Sequence, residues 1–268
     1  AVINLVRSRR ELDWLTSAFL GSLSLLSLVS IAWGSGLVDK IIPIAFLQNP
    51  LWNPSGNPLG TIIVLAASLP YLAIHIIKDK AGSPKTLFLA ACLFLNLIGA
   101  GVISYRLFAP GTLNRPIFLS HSAAWAIALE SMKSSPLFGT GPATFISDFT
   151  RFRPITYNLN PHWNIRFASS SNYYLHLLTT IGLAGLAAYL FLVSKTLSLL
   201  AKILRSPSES PLYTSVIAST TSILLLLAIQ LFLPASFLTT FFLFTLLILT
   251  TLSLKHLGSS LVHEANID

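Results

Sequence analysis

The chain has 268 residues, of which 53% are hydrophobic and only 10% charged, and its net charge is +8. A soluble domain carries about 25% charged residues, so this composition excludes an ordinary soluble fold and indicates an all-α, polytopic membrane protein. The positive balance does not indicate nucleic acid, because most basic residues flank apolar runs, where membrane topology accounts for them.

Arg7, Arg9 and Arg10 open the chain, which starts AVINLVRSRR. That order lacks the basic start, short apolar core and small-residue cleavage site of a signal peptide. A fragment of a longer membrane protein, or a chain whose start is missing, is expected. The first apolar run covers residues 12–37. After it, residues 38–58 form a connection containing QNPLWNPSGNP, dense in turn formers. Further spans are expected at residues 59–77 and 86–108, joined by a short loop holding Lys78, Lys80 and Lys85. Cys92 is the single cysteine, so neither an intrachain disulfide nor a cysteine-based metal site is available.

Residues 109–171 make a connection far longer than ordinary loops. Within it, residues 117–134 read as a helix lying at the membrane surface, with Pro116 suited to its first turn. Phe118, Trp125, Leu129 and Met132 share one face at helical spacing. SPLFGTGPATF follows at 135–145. It has two glycines but no Lys-Ser or Lys-Thr, which favours a tight turn between two helical pieces over a phosphate loop.

The stretch TRFRPITYNLNPHWNIRF, residues 150–167, holds Arg151, Arg153 and Arg166 and no acid. Arg151 and Arg153 would face the same way in an extended segment, and Pro154 biases Arg153 toward that conformation. Guanidinium groups suit phosphate, while the interleaved aromatic and amide side chains suit sugars. Solvated arginines, or arginines against lipid headgroups, are the alternative.

A fourth span is expected at residues 172–193, with Asn172, His176 and Thr179 or Thr180 on one face. Gly182 and Gly185 read as small residues that permit close helix packing. Lys195, Lys202 and Arg205 follow. The last two spans, 212–233 and 235–254, are separated by Pro234, which indicates a tight reversal, and Lys255 ends the series. If six spans alternate, ten of the 17 basic residues share one side, which the positive-inside rule makes cytoplasmic together with both chain ends.

The segments WAIALESMKSSPLFGTGPATF (125–145), FTRFRPITYN (149–158) and RFASSSNYYLHLLTTIGLAGLAAYL (166–190) occur in an order that resembles the O-antigen ligase and O-antigen polymerase family of bacterial envelope enzymes. NPSGNPLG at 53–60 fits an outer turn of that family. The resemblance covers residues 110–192 and implies a GT-C-like, metal-independent glycosyltransferase of the bacterial cytoplasmic membrane, with no cofactor. The implied donor is an undecaprenyl-pyrophosphate-linked glycan, and the acceptor a lipid, glycan or protein on the outer membrane face. It also implies that Arg151, Arg153 and Arg166 hold the pyrophosphate, with Asn172, Tyr157 and Tyr173 completing substrate binding. A histidine serves as base, and His162 and His176 are the candidates. Two positions depart from the family pattern. Ser171 replaces the histidine of a His-Asn pair, and His121 and Ser122 stand where an arginine often precedes the Trp. The usual family chain has about twice as many spans.

A metal-dependent relative would need paired acids, yet Asp39, Glu130 and Asp148 are scattered. A transporter or flippase would place ionisable groups within spans. Asp13, Lys40 and Arg106 lie only at margins, leaving His75 and Gln230 as the main polar residues further in. A non-catalytic envelope assembly protein is the third possibility.

Overall fold

The computed structural model describes residues 6, 8–36, 38, 44, 52–79, 82–111, 115–205 and 210–257. Arg7, Asp39, Lys40 and Lys80 lie outside them, as do the end of the first expected span and the QNPL of the following connection. The described residues form helices without strands. In chain order these are α1 (Arg9–Gly34), α2 (Pro58–Lys78), α3 (Pro84–Phe108), α4 (His121–Ser134), α5 (Phe145–Phe152), a 3-10 turn (Ile155–Leu159), α6 (Tyr173–Thr180), α7 (Gly182–Arg205), α8 (Pro211–Ile229) and α9 (Phe237–His256). Six of them, α1, α2, α3, α7, α8 and α9, are long and apolar enough to cross a membrane. The chain is therefore an all-α, polytopic membrane protein.

Local sequence explains where the long helices begin. Ser8 caps α1 in a reciprocal box with Glu11, and Ser236 does the same for α9 with Thr239. Asn57 and Ser83 cap α2 and α3, each followed by a proline in the first turn. Ser55, Gly56 and Asn57 turn the chain into α2, with Gly56 at φ 65°.

The chain divides into two compact units. The first holds residues 1–115, 198–226 and 236–268. In it α3 packs on α1 and α2, and α9 packs on both α1 and α2. Asn96, fully buried in the middle of α3, accepts from Ser27 Oγ on α1 at 3.0 Å and donates from Nδ2 to Ser68 Oγ on α2 at 3.0 Å. A single amide thus ties three helices, a polar feature deep in a span that hydropathy does not single out. The approach is close because Gly99 is one turn away: a Cβ there would stand 2.7 Å from Ser27 Oγ. Pro70 interrupts the hydrogen-bond ladder of α2, and the Tyr71 N–H donates instead to Ser222 Oγ on α8 at 3.0 Å. Arg106 Nε donates to the Gly34 carbonyl at 2.7 Å, so the C-terminal ends of α1 and α3 lie together and the two helices run the same way.

The second unit holds residues 116–197 and 227–235. One core, built from Leu119, Ala124, Ile127, Phe145, Phe149 and Tyr157 with Phe152, Phe167 and Leu175 against it, joins α4, α5, the 3-10 turn and α6. Here the structure corrects several sequence-based expectations. Helix α4 starts at His121, capped by Ser120, and Pro116 and Phe118 precede it. Its buried stripe is small: Ala123, Ala124, Ile127, Ala128 and Ser131. Trp125 and Leu129 are 52% and 42% exposed, so the large apolar residues face away from the core.

The fourth expected span is two helices. The chain breaks at Ile181, and Gly182 takes φ 69°. Asn172, His176, Thr179 and Thr180 therefore belong to a short helix before the span, which is α7. Lys195 lies within α7, its Nζ 4.9 Å from the Phe191 ring, and not beyond the span as expected. Gly182 serves the chain break, not packing between spans.

The break is stabilised by SPLFGTG, which forms the expected tight turn between α4 and α5. Carbonyls of Thr179 and Thr180 accept from the N–H groups of Thr140 (3.2 Å) and Gly141 (2.9 Å). The N–H groups of Leu183 and Ala184 donate to Pro136 and Leu137, each at 3.0 Å. Backbone groups freed by the interruption are thus paired. Gly139 and Gly182 meet backbone to backbone: a Cβ on Gly182 would stand 2.5 Å from Gly139 N. Asp148 is buried and accepts from Thr140 Oγ1 (2.5 Å) and Thr144 Oγ1 (3.1 Å), which pins the same turn to α5.

Candidate functional site

The second unit carries the sequence-expected site residues on three short segments around one core. Helix α5 ends at Phe152, so Arg151 is helical and Arg153 is its C-cap. The extended pair expected from the Arg-Phe-Arg spacing is not formed, because Asp148 and Phe149 anchor a helix that runs up to Pro154. Arg151 is exposed, with its guanidinium carbon 4.9 Å from the Phe152 ring centre.

Arg153 is held more firmly. Its Nη1 donates to the Trp163 carbonyl at 3.0 Å, and its guanidinium lies 5.8 Å from the Phe149 ring and 5.9 Å from the Tyr157 ring. Those two rings meet edge to face at 5.4 Å, and Phe167 packs against both. Arg166 is exposed beside Phe167, so Arg153 and Arg166 spring from the same aromatic cluster. Among the described residues, the ion pairs are Lys85–Asp79 and Lys133–Glu130; none involves these three arginines. Among the described residues no carboxylate compensates their positive charge.

Tyr157 is buried and donates its hydroxyl to the His162 carbonyl at 3.2 Å. His162 itself is exposed, in a turn held by its N–H to Asn160 Oδ1 at 3.0 Å. A polar cleft of about 250 Å³ opens between the start of α4 and this segment, lined by Ser120, Ser122, Pro154, Thr156, Tyr157 and Asn160.

The start of α6 belongs to the same unit. Asn172 is the N-cap, its Oδ1 accepting from the Leu175 N–H at 2.9 Å. The Tyr173 N–H donates to the Gln230 carbonyl at 3.1 Å. His176 packs its ring 5.3 Å from Phe145 and 6.3 Å from Tyr173, and its Nδ1 is buried without a partner. Burial holds the His176 pKa below the usual imidazole value and raises that of the Tyr173 phenol.

One contact was not expected. His121, the first residue of α4, places Nδ1 2.9 Å from Ser171 Oγ. Ser171 is buried and precedes the Asn172 cap, whereas His121 is exposed. Both positions stand out in the sequence as departures from the family pattern, but nothing in a single sequence signals that they meet. The fold thus brings an imidazole, that of His121, beside Ser171.

Fold and site together describe a polytopic helical membrane protein with a small helical unit inserted before its fourth long helix. That unit bears unpaired arginines on an aromatic core and a His–Ser pair. No family model, curated protein or solved structure matches the chain.

Proposed function

We propose that this chain is a membrane glycosyltransferase of the O-antigen ligase type. It transfers a glycan from an undecaprenyl-pyrophosphate carrier to a lipid, glycan or protein acceptor on the outer face of the bacterial cytoplasmic membrane. The observation that carries this reading is Arg153: its guanidinium is oriented by Trp163 and two aromatic rings, yet it pairs with no carboxylate among the described residues. Arginine in that setting suits a pyrophosphate, which accepts several donors at once.

Transfer breaks the bond between the sugar anomeric carbon and the pyrophosphate oxygen and forms one to an acceptor hydroxyl. Arg153 and Arg166, with Arg151 nearby, stabilise the charge that grows on the leaving oxygen. The hydroxyl proton needs a base within hydrogen-bond reach. His121 fits that role better than His162 or His176. When its Nδ1–H donates to Ser171 Oγ, Nε2 keeps a lone pair for the acceptor proton. His176 is confined among rings, and Asn172 is engaged in capping. Tyr173 and the polar residues of the cleft offer a ring face, hydroxyls and an amide to the sugars, while Tyr157 supports the cleft from the core.

The glycan profile of cells lacking the gene tests the reading. A ligase leaves full-length chains on the lipid carrier, and a polymerase leaves single repeats. An unchanged profile contradicts both.

A further inference from the structure

A second polar cavity lies in the first unit, remote in sequence from the arginine segment. It has a volume of about 170 Å³ and is walled by the start of α1 (Asp13, Thr16), the end of α2 (Tyr71, His75) and the starts of α3 (Lys85) and α8 (Ser215). These ends share one side of the bundle, the side that also carries Arg9, Arg10 and Lys78. His75 is 5% exposed; its Nε2 lies 3.3 Å from Ser215 Oγ, and its Nδ1 is buried with no partner. An orphan polar atom at that depth costs free energy that a ligand group would recover.

The charges around the cavity define the ligand. Asp13 stands exposed at the mouth and takes part in neither of the ion pairs found among the described residues. Lys85 also lines the cavity, 3.2 Å from Asp79. Tyr71, Thr16 and Ser215 also line it, so its wall carries several hydroxyls. A purely anionic head group would leave Asp13 repelled and unpaired. A trimethylated amine donates no hydrogen bonds to the hydroxyls or to His75. The volume falls below the roughly 300–1,000 Å³ of pockets that take whole drug-sized ligands. Phe88, at the cavity wall, is 41% exposed and adjoins Leu87 at 63%, an apolar surface against which acyl chains can lie.

We propose that this cavity binds a primary-amine phosphate zwitterion, the head group of an aminophospholipid such as phosphatidylethanolamine. The ammonium meets Asp13 and the His75 nitrogen, and the phosphate meets Lys85.

Native mass spectrometry of the full chain released from nanodiscs with equal phosphatidylethanolamine, phosphatidylcholine and phosphatidylglycerol is the test. The expected result is retained phosphatidylethanolamine about tenfold above either other lipid, a difference that Asp13→Asn removes. Asp13 is exposed, so that variant keeps the fold, and His75→Gln provides a second, buried variant with the same expected loss. Displacement by millimolar phosphoethanolamine supports the same chemistry with a soluble source, and its failure to displace assigns the lipid. Equal retention of the three lipids, or unchanged selectivity in Asp13→Asn, overturns the proposal.

Discussion

His121 Nδ1 and Ser171 Oγ lie 2.9 Å apart although fifty residues separate them in the chain. The contact fastens the first turn of α4 to the residue before the α6 cap. It also fixes the ring so that the second nitrogen is turned away from the serine. If His121 is the base, His121→Ala lowers transfer by about 10²–10⁴-fold with unchanged protein level. Ser171→Ala removes only the orienting contact and gives a smaller loss. A flat response to His121→Ala assigns the base elsewhere.

Arg153→Ala is expected to cut transfer by about 10²-fold or more, measured with a lipid-linked glycan donor. Arg153→Lys restores only part of it, because an ammonium keeps the charge but not the planar fork. Normal transfer by Arg153→Ala removes the arginine from the site.

The Gly139–Gly182 contact admits no side chain. Gly182→Ala sets a Cβ 2.5 Å from backbone nitrogen at a φ of 69°. The positive φ alone costs about 1–3 kcal/mol, and the backbone clash adds to it. Gly56→Ala, where a Cβ meets nothing within 4 Å at φ 65°, isolates the conformational part. Limited proteolysis of the second unit should accelerate in Gly182→Ala. Resistance equal to wild type contradicts the backbone latch.

Asn96→Ala removes two interhelical hydrogen bonds and leaves Ser27 and Ser68 without that partner. Such bonds contribute about 0.6 kcal/mol each in membranes, so a loss of about 1–2 kcal/mol is expected in detergent unfolding. No change in midpoint would make the triad incidental.

His176 sets a pH dependence. Its folded pKa lies below the ordinary 6.5, so the unfolded chain binds the proton more readily. Stability is therefore complete above pH 6.5 and falls as the pH drops below it toward the folded pKa. His176→Phe should flatten that decline in the second unit.

Much of the membrane architecture was legible because apolar length is a strong local signal. Pro234 marked the reversal between α8 and α9, and the glycines of SPLFGTG marked a turn. The break at Ile181 was not legible, since TTIGLAG carries no proline and stays apolar, so the run read as one span. What stops the helix is a tertiary event, the docking of Gly139 on Gly182. Likewise Trp125 and Leu129 marked an apolar face of α4, but the core is built on its alanines, which let α4 approach α5 and α6. Arg153 stands out in the sequence by its charge in a stretch, residues 150–167, without acids. The His121–Ser171 pair was not, because a contact between distant segments leaves no periodic trace.

Reconstitution measures the central claim most directly. Purified protein in proteoliposomes, given an undecaprenyl-pyrophosphate-linked glycan and candidate acceptors in the presence of a chelator, should release the carrier and yield glycosylated acceptor. The Arg153→Ala protein should yield none. Translocation of the donor without a new glycosidic bond, or product from the variant at the wild-type rate, would contradict the account.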